Sequence, residues 1–405
     1  MPSPGRTFSA CLAAAAVLLG ACSDGGGGAP EATAQPTAAA SLAAVGAVQS
    51  SVSILRANLT ALLQEHVFLT GATTATLIAG QDPAPAAAVL DANSVALSNV
   101  IGAVYGEAGA QQFLDLWRRH IGLLVDFARA SAANDEAGIA AAKAGLETYR
   151  EDVATFLNTI NPNLARDAMV EDQKSYLGGL QSAIGAQAEQ DPMAAAKLQT
   201  AAEHMPRTAA VLVAGIAKNH PGVFAGRFDG SAATLRSLLL AKLQEHVYLS
   251  SIAAGTILAQ GESKEPVATV DANSVELANV IGSQYGDEAA RQFLAIWRGH
   301  VASLLDYARA RAVGDNAGAQ AAATELSAGS GRFGAFLHAA NPRLDQAALT
   351  TDLISQVRAL LTAIDTQAAG SPSRFANLHA VAGRARAMAE RLSTGIASQF
   401  PARFS

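Results

Sequence analysis

Cysteine is nearly missing from this chain: its 405 residues include two, Cys11 and Cys22, and none beyond position 22. That excludes disulfide staples, cysteine-ligated zinc, iron–sulfur clusters and thiol nucleophiles from the body of the protein. Aromatic residues are few, at 5%, and the two tryptophans are Trp117 and Trp297. Basic residues are outnumbered, 28 Lys and Arg against 34 Asp and Glu, and they form no stripe, which argues against nucleic acid as a partner. Alternating β-branched runs are scarce, so strands are not expected. There is no G-x-S-x-G string, phosphate loop or dinucleotide fingerprint, and no H-E-x-x-H or E-x-x-H pair. No constellation supports a catalytic assignment, and a non-enzymatic binding or structural role is the expectation.

The first informative stretch is an export signal. Arg6 precedes an apolar run from Phe8 to Leu19, too short and alanine-rich for a good membrane span. The run closes in Leu19-Gly20-Ala21-Cys22, a branched aliphatic residue and two small ones before cysteine. This is what lipoprotein processing reads, so residues 1–21 are expected to be removed and Cys22 to be lipidated. The expected product is tied to a membrane by its lipid. Ser23 rather than Asp follows Cys22, and by resemblance to Gram-negative lipoproteins this implies the outer membrane, facing the periplasm. Residues 22–48 read as a flexible linker.

Beyond the linker the chain repeats itself. LLQEHVFL at Leu62 answers KLQEHVYL at Lys242, QQFLDLWRRH answers RQFLAIWRGH, and NPNL answers NPRL. The offset is a constant 180 for His66 and His246, Trp117 and Trp297, Asn161 and Asn341. An all-α protein follows: two tandem homologous helical bundles, 49–228 and 229–405, of about six helices each. In the first, helices are expected near 51–80, 84–105, 109–132, 136–159, 165–189 and 193–218, set off by Gly, Asn, Asp and Pro. Ala328 to Arg332 replaces Thr148 to Asp152 and is expected to kink its helix rather than build a nucleophile elbow.

Helical periodicity puts His66 and His120 at the centres of apolar stripes, and His246 and His300 likewise. Ser94 and Asn93, with Ser274 and Asn273, fall toward the same interior, and Trp117 and Trp297 belong to the stripes. Two readings stand. The histidines are neutral and hydrogen-bonded to Ser94, Asn93 or Tyr105, fixing helix register; or they gather a copper or zinc ion or a small ligand, with Glu65, Glu245 or His204 nearby. Arg384 takes the place of His204 in the second half. The expected partners are the membrane and an envelope protein or ligand.

The strings L-R-x-x-L-x-x-L-L-x-E-H-V, L-D-x-N-S-V, I-G-x-x-Y-G and F-L-x-x-W-R-x-H-I resemble a helical domain of bacterial surface proteins labelled copper amine oxidase N-terminal-domain proteins. The resemblance covers nearly all of both halves and implies a third histidine heading the fifth helix, where this chain has Tyr176 and Gln356. The oxidase activity itself does not follow: its quinone needs a tyrosine after asparagine, and no Asn-Tyr pair occurs.

Overall fold

The architecture follows from alanine-rich segments punctuated by caps. A computed structural model describes residues 38–261 and 264–404, and these form thirteen α-helices and no strand. A short α1 (Ala38–Val48) comes first, then α2 (Ser51–Ile78), α3 (Ala84–Tyr105), α4 (Glu107–Ala132), α5 (Glu136–Ile160), α6 (Arg166–Ala188) and α7 (Ala194–Asn219). The second half holds α8 (Ser231–Gln260), α9 (Lys264–Tyr285), α10 (Asp287–Ala312), α11 (Asn316–Ala340), α12 (Gln346–Ala368) and α13 (Arg374–Gln399), with a 3-10 turn at Pro401–Arg403. Every boundary of α8 to α13 sits 180 residues after its counterpart, except that α8 runs two residues further than α2. The export signal and Cys22 lie outside the described residues.

Side chains set these boundaries. Asp135 and Asp315 accept hydrogen bonds from the Gly138 and Gly318 amides at 3.0 and 2.9 Å, capping α5 and α11. Gly106 and Gly286 join α3 to α4 and α9 to α10 at φ 85° and 88°, backbone that disfavours a β-carbon. Within α11, Ser330 donates to its own turn, at Leu326 O, 3.0 Å away, and the helix is continuous from 316 to 340. Ala328–Arg332 lies within this helix and builds no strand-to-helix elbow.

The expected linker also needs correction. Residues 38–48 are helical, Ala44 and Val48 are buried, and Ser41 donates to Ser398 O at 3.0 Å. Alanine and valine give this stretch something to bury against α13, which the glycine run before it lacks.

Nor are the halves separate bodies, since residues 38 to 404 belong to one compact unit. The seam is the pair α2 and α8, which run side by side in the same direction. Arg56 reaches Thr234 at 2.9 Å, Gln64 reaches Glu245 at 3.1 Å, and Phe68 stacks on Tyr248 at 4.9 Å between ring centroids. Both helices bury nearly their whole circumference, so each serves two cores at once: its own half and the seam.

Candidate functional site

In the first half, α2, α4 and α6 each send one polar ring to a common point. His120 Nε2 lies 3.2 Å from His66 Nε2 and 3.1 Å from the Tyr176 hydroxyl. Thr70 Oγ1 is 3.4 Å from His66 Nε2. Trp117 closes one side, 4.7 and 4.5 Å from the two imidazole centroids. Tyr149, from α5, stacks on His120 at 4.7 Å. Both histidines are 0% exposed. Burial holds His66 down at about 3 and holds His120 well below the usual range, the latter also through the charge its neighbour would carry. Burial likewise lifts the Tyr176 and Tyr149 hydroxyls, so neither ionises readily. The cluster is therefore neutral. One imidazole must donate and the other accept.

The same positions in the second half are built from smaller parts. Gln356 stands for Tyr176, Gly329 for Tyr149, and Ala385 for Met205. His246 and His300 keep their places, with ring centroids 5.4 Å apart and Trp297 at 4.8 and 5.2 Å. Gln356 and Ala385 line a cavity of about 200 Å³ between α8, α10, α12 and α13 that reaches both histidines and Trp297; Gly329 does not line it, and Phe333, where the first half has Val153, packs against Trp297 at 5.5 Å. In the first half a space of about 30 Å³ shares Trp117, Tyr176 and Met205 with the matching positions but opens toward α3 and α5 and does not reach a histidine. His300 is partly exposed, where His120 is sealed. Burial still depresses both imidazoles, His300 to about 4 and His246 well below its usual range, so they are neutral at pH 7.

The polar inventory of the cavity is small. His246 Nδ1 lies 3.4 Å from Ser250 Oγ, and its Nε2 has no partner; the Trp297 indole N–H has none either. At the mouth, Arg384 donates to Ser355 Oγ at 2.6 Å, while Asp352 is paired with Arg391 at 2.8 Å.

The other sequence-expected residues are elsewhere. Ser94 and Ser274 donate to carbonyls of their own helices, Leu90 O and Val270 O. Asn93 spans to Leu62 O and Glu65, and Asn273 to Lys242 O and Glu245. Tyr105 accepts from Asn161 at 2.9 Å. None of these bonds a histidine; Thr70, His120 and Tyr176 take that role for the first half. His204 pairs with Asp172 at 3.0 Å, away from the imidazole pair.

Glu65 and Glu245 do not join the histidines. They face the seam, 6% and 0% exposed. Glu65 accepts from Tyr248 at 2.6 Å and lies 2.8 Å from His379 Nδ1, both residues of the other half, and it raises the His379 pKa through that bond. Glu245 accepts from Gln64 and Gln199 of the first half and lies 3.1 Å from Lys242 Nζ. Burial raises the Glu245 carboxyl, opposed by the Lys242 charge. With Glu203 and Glu276 it forms a three-carboxylate group, and the single Lys242 ammonium bonds all three and offsets part of their charge.

No family model, curated protein or solved structure matches this chain. The resemblance to the helical surface-protein domain therefore rests on its four sequence strings.

Proposed function

We propose that this chain is an exported, lipid-anchored binding protein of the cell envelope, without catalytic activity, formed by tandem duplication of one six-helix bundle. On this reading the second copy carries the ligand and the first is its structural counterpart. The duplication is supported by the constant 180 offset in sequence and helix boundaries. The anchor is supported by Leu19-Gly20-Ala21-Cys22 and the glycine run after it. The observation that carries the binding role is the roughly 200 Å³ cavity beside two neutral histidines, at a place the other half fills with Tyr176 and Met205. Concave, mostly apolar spaces with a few convergent polar groups are where small ligands bind.

The test uses benzamide, small and uncharged, as a probe. Calorimetry should show one site per chain in the wild type and none in Gln356→Tyr, which restores the first half's filling. Absence of binding to the wild type, or equal binding to the variant, overturns the reading. The anchor is checked separately: Cys22→Ala should move the protein from the membrane to the soluble fraction or leave the signal uncleaved.

A second reading has one observation in its favour. Two imidazole nitrogens 3.2 Å apart match an edge of a tetrahedral site with metal–nitrogen bonds of about 2.0–2.1 Å. Against it, His66 Nδ1 lacks the orienting partner that a metal-bound histidine has, and the cluster is sealed. A structural role for this pair fits better. Stoichiometric copper or zinc retained by the wild type and lost in His66→Ala/His120→Ala would reverse that preference.

A further inference from the structure

We infer that the cavity of the second half takes a small aromatic monocarboxylate, ring inside and carboxylate at Arg384; this rests on the binding role proposed above. Size sets the first limit. At about 200 Å³ the space exceeds the ~150 Å³ apolar cavity that admits benzene and falls below the ~300 Å³ at which drug-sized ligands begin. A single ring with one short substituent fits between them.

The walls set the second limit. Leu243, Leu353, Leu360 and Met388 give an apolar lining, and Trp297 with the two imidazoles offers aromatic surface. Two buried polar groups there lack partners: His246 Nε2 and the Trp297 N–H, in side chains 3% and 5% exposed. Unpaired buried polar atoms are costly. A ring substituent or ring nitrogen that meets either atom relieves that cost.

Charge sets the third. The first half places His204 against Asp172 at this level. In the second half the matching Asp352 is taken by Arg391, and Arg384 has no carboxylate among the described residues; it bonds the Ser355 hydroxyl and carbonyl. Inside, His246 and His300 are neutral. The mouth therefore offers one unopposed positive charge, with a fork that suits a planar carboxylate. A dianion would meet Asp352 without a second free cation.

The experiment compares benzoate with benzamide by calorimetry at pH 7 in wild type, Arg384→Gln and Gln356→Tyr, with circular dichroism to show that the variants fold. Benzoate should bind the wild type about tenfold more tightly than benzamide, from the added charge-assisted bonds. Arg384→Gln should bring benzoate to the level of benzamide, weakening benzamide by much less than benzoate. Gln356→Tyr should abolish both. If benzamide binds as well as benzoate, or Arg384→Gln leaves the benzoate preference intact, the carboxylate assignment fails and the cavity reading survives. If neither binds the wild type, both fail.

Discussion

The two histidine clusters are one design at two stages of filling. In the first half the imidazoles are covered by Tyr149 and Tyr176; in the second those places are Gly329 and Gln356, and one imidazole is partly exposed to a cavity. On its far side α8 is held by the seam with α2. Space inside a bundle is thus gained by removing side chains from a frame fixed elsewhere, which is how an interior site arises without a change of fold.

Acid should separate the clusters most strongly. Unfolded imidazoles take up protons near pH 6.5, whereas the folded His300 does so only at about 4 and His66 at about 3. Between those values the unfolded state binds more protons, so stability falls as pH drops below 6.5. The His300 contribution is complete by about pH 4, while that of His66 continues to about pH 3. The unfolding free energy from urea melts measured between pH 7 and 3 should decline by several kcal/mol overall (~1.4 kcal/mol per pKa unit). His66→Gln should flatten the curve from about pH 6.5 down to about 3, and His300→Gln from about 6.5 down to about 4. His379 works in the opposite sense: its raised pKa adds stability below 6.5 that is lost as pH rises through its folded value, weakly because it is half-exposed. A midpoint constant down to pH 4 would show that the imidazoles are not buried as described.

Next in size is the pair of aligned positions 149 and 329. Tyr149→Ala should cost about 3–5 kcal/mol, the range for emptying a buried aromatic site. Gly329→Ala should instead stabilise by up to about 1 kcal/mol: the residue is mid-helix, and an added β-carbon would come no nearer than 3.5 Å to Arg332. Equal signs for the two substitutions, read from urea melts, would remove the contrast between filled and unfilled cores.

The smallest effect is optical. With Trp117→Phe and Trp297→Phe each leaving one indole, acrylamide should quench Trp297 more than Trp117, since only Trp297 lines the larger cavity. Filling the cavity with Gln356→Tyr should bring the two curves together. Curves that already coincide in the parent single-tryptophan proteins would mean the cavity admits no small molecule.

Much of this frame was legible in the chain itself. Caps and turn residues place the first six long helices within two residues of where they lie, and the apolar stripes bring His66 and His120 together. Two features escaped for physical reasons. Because α2 is buried almost all round, periodicity does not say which neighbour each face meets; Glu65 therefore looked close to the histidines when it faces the other half. And Ser94 satisfies its hydroxyl on its own helix, an option open to any helical serine, so its stripe position did not reveal its partner. The substitution that opens the cavity was visible as Tyr176 against Gln356. That Tyr149 covers His120 becomes visible only when α5 lies over that ring.

The parallel contact of α2 with α8 has a consequence for how such a protein can change over time. Two free subunits joined by this surface would come apart on dilution, and any loss of packing in one would weaken the assembly. Here the partners share a chain, so their meeting is intramolecular and independent of concentration. Glu65 finds Tyr248 and His379 in every molecule, and Glu245 finds Gln64 and Gln199. On the proposed duplication, that permanence lets one half carry glutamine where the other carries tyrosine, with an interior space in place of packing, while its counterpart remains the keel.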